Sequence, residues 1–189
     1  INIAFFEAYG LEGLKALSVI IPEIKKSAPV ILDAKRGDIS STAAAYARAC
    51  YDHWNVRSVT INPYLGMESF APFLQNQQAG LFLLCHTSNP SAGSLQRRIS
   101  EDGLPLYAWV AKQAAKNEQL GLVVGATQTD TLTTVRTYAP DAWLLCPGVG
   151  SQGGSIEETI HHGWGNQGNL LISVSRAIAQ ADSPSEKAK

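Results

Sequence analysis

Six short runs of nearly unbroken apolar residues punctuate the chain: APVILDA, RSVTINP, GLFLLCH, LGLVVGA, AWLLCPG and NLLISVS. Each has the length of a strand. None alternates apolar with polar residues as a half-exposed strand does, so both faces must be covered. The segments between them suit helices. Leu11, Leu14, Leu17, Ile20, Ile21 and Ile24 recur at helical spacing before the first run, with Pro22 placed to kink or split that helix. A helix is expected from about Ser41 to Trp54, with Ser and Thr as caps and an Ala-rich body. Further helices are expected in MESFAPFLQNQQ, in LPLYAWVAKQAAKNEQ after a long loop, in TLTTVRTYA and in SIEETIHH. Buried strands alternating with helices indicate an α/β protein built on a parallel sheet.

Two architectures meet that description. An open doubly wound sheet binds ligands at a switch point, whereas a (β/α)8 TIM barrel uses the C-terminal ends of all its strands. Polar or conformationally special groups follow nearly every run: Asp33/Lys35, Asn62-Pro63, His86-Thr87-Ser88-Asn89, Gly125-Ala126-Thr127, the Pro147–Gly154 loop and Ser175-Arg176. That distribution favours the barrel. A barrel needs eight strands, so about two are expected before Ile1 and about six of the eight βα units lie in this chain. The start, INIAFFEAYG, has no Met and falls in mid-pattern, as a fragment would. Residues 1–180 are thus expected to form a partial barrel domain, and ADSPSEKAK, residues 181–189, a polar tail or linker.

Composition narrows the function. The chain has 189 residues, 45% apolar and 16% charged, with a net charge of −1 and no basic run, so nucleic acid is not an expected partner. Cys50, Cys85 and Cys146 are odd in number, far apart and set in apolar segments, which suits buried free thiols in a reducing compartment. No apolar stretch reaches the roughly 18–20 residues of a membrane span, and no basic-then-apolar leader opens the chain. The expected location is the cytoplasm.

The first apolar run ends unusually. ILDAKRGDIS places Asp33, Lys35 and Asp38 within six residues. In an extended segment side chains at i and i+2 share a face, so Asp33 and Lys35 can pair at the strand end, while Arg36 points away. A structural ion pair would account for two of the charges. Asp38 leaves an excess of negative charge, and a second cation is expected from elsewhere.

Other segments offer ligand groups. CPGVGSQGG contains Gly148, Gly150 and Gly153 at GxGxxG spacing, but NLLISVSR ends in Ser175 and Arg176 rather than in the acid a dinucleotide fold requires. Glycine backbone, the Gln152 amide and Arg176 suit a phosphate better, and barrels hold phosphate in their last two loops, the alternative being a glycine-rich surface loop and a helix-starting Arg. In CHTSNPSAG, Ser88 and Asn89 can face a heterocycle's edge or cap their own turn. His161-His162 suit a helix C-terminus without a metal-ligand set, and His53 and His86 lack a nucleophile signature. The four tryptophans read as packing.

Taken in order, DAKRGDISST, TINPYLG, HTSNP, PGVGSQGG and SVSRAI resemble the orotidine 5′-phosphate decarboxylase family, particularly its bacterial-type branch. The resemblance spans nearly the whole chain. It implies a dimeric (β/α)8 barrel that converts orotidine monophosphate to UMP and carbon dioxide in pyrimidine biosynthesis, without metal or organic cofactor. It further implies catalytic roles for Asp33 and Lys35 in one subunit and for Asp38, reaching in from the other with Ile39 and Thr42. Ser88 would face the pyrimidine, and Gln152 and Arg176 would hold the phosphate. The family also uses a second lysine and a ribose-binding aspartate, both expected upstream of Ile1, and some relatives are fused to an orotate phosphoribosyltransferase. Two rivals are a metal-using superfamily member, such as 3-keto-gulonate 6-phosphate decarboxylase, and a non-catalytic nucleotide-binding barrel.

Overall fold

All six apolar runs form strands in the computed structural model, which describes residues 1–150 and 153–188. The chain divides into two compact units, Ile1–Leu83 and Leu84–Lys189, with the third strand passing from one to the other.

The first unit begins with α1 (Ala4–Glu7) and α2 (Gly10–Lys25), followed by β1 (Ile31–Arg36), α3 (Ser40–Arg48), β2 (Ser58–Ile61), α4 (Ala71–Leu74) and the start of β3 (Gly80–His86). β2 pairs in parallel with β1 on one side and with β3 on the other. The opposite edge of β1 is occupied as well. Asp33 N–H donates to the Ile1 carbonyl (2.7 Å) and Ile3 N–H to the Asp33 carbonyl (3.2 Å), so the first residues extend the parallel ladder. Leu32, Val59, Ile61, Leu81 and Leu83 from the strands are buried, as are Leu17 and Ile21 of α2 and Ala43 and Ala47 of α3. Pro22 lies in the last turns of α2 and removes one N–H without ending the helix.

Two helices differ from expectation. The predicted 41–54 helix is α-helical to Arg48 and then widens into a π turn, Ala49–His53, in which Trp54 N–H reaches back to the Ala49 carbonyl (2.9 Å). MESFAPFLQNQQ forms a 3₁₀ turn, Met67–Phe70, and only the short α4, whose Pro72 supplies no backbone donor.

The second unit continues β3 into α5 (Gly93–Gln96), α6 (Leu106–Ala114), β4 (Leu120–Val124), α7 (Thr129–Tyr138), β5 (Leu144–Pro147), α8 (Ile156–Gly163), β6 (Leu170–Ser173), α9 (Arg176–Ala179) and α10 (Pro184–Lys187). β5 pairs in parallel with β4 and β6. Just past β4, Gly125 N–H donates to the His86 carbonyl at the end of β3 (2.8 Å) and Ala126 N–H to the Pro147 carbonyl at the end of β5 (2.9 Å). Within each unit the strands therefore follow chain order, with no reversal of the kind that marks a doubly wound switch point. The fold is α/β and TIM-barrel-like, with six strands among the described residues.

Leu122, Val124, Leu144 and Cys146 are buried together with Ala108 and Ala111 of α6 and Leu132 and Val135 of α7. Below them the Arg136 guanidinium donates to the carbonyls of Gly163 (2.7 Å), Ala142 (2.7 Å) and Asn169 (2.9 Å), tying the end of α7 to the approaches of β5 and β6. Among the described residues no helix is long and apolar enough to cross a membrane.

Candidate active site

The charged end of β1 is built on a distortion. Ile31 and Leu32 pair with Ser58 and Val59, but the next pairing is Arg36 with Ile61, so between them β1 contains more residues than β2. The surplus forms a bulge, and Lys35 sits in it with φ at +46°. A non-glycine residue in this region costs about 1–2 kcal/mol and persists only when its surroundings hold it. Thr60 of β2 supplies that hold. Its hydroxyl accepts from Lys35 N–H (2.8 Å) and donates to Asp33 Oδ1 (2.8 Å). The Lys35 ammonium then reaches both carboxylate oxygens of Asp33, at 2.6 and 2.7 Å. The predicted pair forms, through a bulge rather than through regular alternation along the strand.

Arg36 leaves the pair as expected. It bonds Glu7 at 2.7 Å and lies over the Tyr46 ring, 5.0 Å from its centroid. The chain then turns across β2: Asn62 N–H donates to the Arg36 carbonyl (2.8 Å), and a Cβ on Gly37 would meet the Asn62 side chain at 3.1 Å. Asp38 Oδ1 accepts from the backbone N–H of Ile39 (2.8 Å), and Ser40, at φ +49°, begins α3. Ile39 is 56% exposed and Thr42 is exposed beside it.

In the second unit the HTSNP segment is clamped from within its own loop. Gln96 accepts from Thr87 N–H (2.8 Å) and donates to the Thr87 hydroxyl (2.9 Å), which in turn donates to Asn89 Oδ1 (2.6 Å). Arg97 follows, bound to Asp130 and Gln128 and set over the Tyr107 ring. Ser88, between the clamped residues, has Gly125 against its backbone: a Cβ on Gly125 would fall 2.9 Å from its N, Cα and Cβ. His86 is buried with its ring edge-on to Tyr107, and burial, then the Arg97 charge, holds its imidazole below its usual pKa.

The three spaced glycines of the loop all lie in the left-handed region. Gly148, Gly150 and Gly153 have φ of +101°, +76° and +85°, values open to glycine and unfavourable for L side chains. A Cβ on Gly150 would lie 3.6 Å from the Cβ of Ala177, so the loop approaches α9 beside the exposed Arg176. Gln152 lies outside the described residues. His161 and His162 close α8, where His162 bonds Thr133 (2.9 Å) and Glu158 (3.2 Å). Cys50, Cys85 and Cys146 are free and buried, which pushes the Cys50 thiol up to about 11 and the Cys146 thiol to about 12.

Thr60, Gln96 and Arg97 are absent from the residues the sequence singles out. Thr60 had a visible signal, a hydroxyl inside the apolar run SVTI one strand from the charged pair. Gln96 and Arg97 had none, because their partners are set by loop geometry.

Known proteins resemble the chain in sequence and fold. The family model described as orotidine 5′-phosphate decarboxylase / HUMPS family matches residues 1–189. The orotidine 5′-phosphate decarboxylase of a Roseiflexus species is 46% identical over 186 residues, covering 96% of this chain and 68% of its own length. The structure of the Leishmania donovani OMP decarboxylase superposes with a TM-score of 0.92 at 41% identity, covering 99% of this chain and 75% of that one. The orotidine 5′-monophosphate decarboxylase of Methanocaldococcus jannaschii, crystallised with the inhibitor BMP, gives 0.77 at 25% identity over 91% of this chain and 77% of its own.

The approach of Ser88 to Gly125 yields a stability prediction. Gly125→Ala should lower unfolding free energy by about 1–3 kcal/mol in urea denaturation, since its new methyl meets backbone that cannot swing aside. Gly80→Ala, whose Cβ meets nothing nearer than 3.6 Å, should change it by about 0.5 kcal/mol or less. Equal effects would mean that the Ser88 turn yields freely.

Proposed function

We infer that this chain, which belongs to the orotidine 5′-phosphate decarboxylase / HUMPS family, decarboxylates orotidine 5′-monophosphate to UMP in pyrimidine biosynthesis. One observation supports the reading above others. The Lys35 ammonium stands within 2.7 Å of both Asp33 oxygens at the C-terminal end of a parallel strand, where such folds place their chemistry.

The mechanism follows from the reaction's difficulty. When the bond from C6 to the carboxylate breaks, its electron pair stays on C6 as a vinyl carbanion with no adjacent π system to accept it. In our proposal the Lys35 ammonium stabilises that charge and then transfers its proton to C6, giving UMP and a neutral amine that solvent reprotonates. Asp33 orients the ammonium. Asp38 completes the array from the partner subunit of a cytoplasmic homodimer, with Ile39 and Thr42 beside it. The support is exposure beside a half-buried carboxylate: Ile39 and Thr42 stand exposed in the 37–42 segment, next to Asp38. Ser88 faces the pyrimidine edge, and Gln152 and Arg176 grip the phosphate, whose binding energy favours the closed glycine loop.

The direct test is turnover by the complete encoded protein. Orotidine monophosphate should be consumed with release of carbon dioxide, undiminished by EDTA, and Lys35→Ala should lower kcat/KM by several orders of magnitude. Loss of activity with EDTA, or turnover of 3-keto-gulonate 6-phosphate instead, would point to the sugar-phosphate branch. UMP binding without turnover would point to a non-catalytic barrel.

The shared site has its own test. Lys35→Ala and Asp38→Ala homodimers should each be nearly inactive. Unfolded and refolded together, they form mixed dimers in which one site carries both defects and the other neither, so recovery should approach about a quarter of wild-type activity. No recovery, with heterodimers confirmed by mass, would mean that Asp38 serves its own subunit.

A further inference from the structure

The geometry assigns Thr60 as a positioning residue for the reaction: its hydroxyl locks both the Asp33 carboxylate and the strained Lys35 backbone in the arrangement that aims the ammonium. The assignment rests on the decarboxylase reading for its consequence, though not for its geometry.

A hydroxyl has one proton to give. Thr60 receives the N–H of Lys35 and so directs its own proton to Asp33 Oδ1. Both bonds are 2.8 Å, and the residue is 1% exposed, so water does not compete for either. Among the described residues Asp33 Oδ1 thus receives two donors, the ammonium and the hydroxyl, while Oδ2 receives the ammonium alone. The groups that bond the carboxylate among the described residues are Lys35 from its own strand and Thr60 from β2. When Lys35 gives up its proton, the hydroxyl still donates to Asp33 and keeps the carboxylate from following the amine.

The second bond acts on the backbone. At φ +46° Lys35 is in a region that β1 would leave if nothing held it, and its N–H is the handle by which Thr60 holds it. The side chain behind that N–H is the one that touches substrate in the proposed mechanism. Thr60 acts through it and does not itself reach the reacting atoms.

Three variants in the complete encoded protein test this. Thr60→Val keeps the branched shape and removes the hydroxyl. Per UMP-binding site, its kcat should fall about ten- to a hundredfold, the factor expected for a lost hydrogen bond to a charged group, while UMP affinity changes less than about threefold. Thr60→Ser should restore kcat to within about threefold of wild type, since the hydroxyl returns. Thr60→Ala should resemble Val rather than Ser. A kcat retained in Thr60→Val, or a Ser variant as slow as Val, would overturn the assignment. A crystal structure of Thr60→Val reads the geometry without reference to activity: Lys35 should leave the left-handed region and Asp33 should rotate. An unchanged Lys35 there would also overturn it. If the wild-type protein does not decarboxylate orotidine monophosphate while the crystal structure shows Lys35 released, the functional reading fails and the positioning role stands.

Discussion

An ammonium held against a carboxylate by a third group is the constraint around which the first unit is arranged. β1 cannot run regularly to its end, because a regular ladder would carry Lys35 past Thr60 without the hydrogen bond that fixes it. The bulge accepts a strained backbone in exchange for a converging set of bonds, all between 2.6 and 2.8 Å. Around it the strand is paired on both edges, by β2 on one side and by residues 1–3 on the other, and Arg36 is drawn off to Glu7 and Tyr46. The pair is therefore held in a fixed frame. The Lys35 side chain remains 47% exposed.

The second unit solves a different problem, presenting neutral hydrogen-bonding groups and flexible backbone on loops without letting the loops wander. The Gln96 clamp on Thr87 and the Arg97 links to α7 fix the segment around Ser88, and Gly125 lets that segment sit directly against the end of β4. The glycine loop is closed on itself by bonds from Gly150 N–H to the Gly154 carbonyl (3.1 Å) and from Gly154 N–H to the Gly148 carbonyl (3.1 Å). Rigid support beneath small, polar contact groups is what remote binding of a phosphorylated substrate requires.

Much of this was legible in the sequence because burial writes itself in composition. GLFLLCH predicts β3 with its observed bounds, since a strand covered on both faces has no reason to carry a polar residue before its end. The pairing of Asp33 with Lys35 follows from the sequence, but the bulge that produces it does not, because register belongs to two strands at once and neither alone encodes it. Thr60 does not stand out in the sequence, because a β-branched residue in SVTI already has an ordinary explanation in strand propensity. The π turn after Arg48 likewise arises within an Ala-rich helical pattern that gives no local warning of it.

The central claim is that Lys35, aimed by Asp33 and Thr60, exchanges a proton with C6 of the pyrimidine. By microscopic reversibility the same lysine must then remove that proton from bound product. UMP incubated in D2O with the complete encoded protein should lose its C6 proton signal in proton NMR faster than UMP alone, and Lys35→Ala should show no such acceleration. Exchange at the wild-type rate in Lys35→Ala would contradict the account, since the proton would then be moved by some other group.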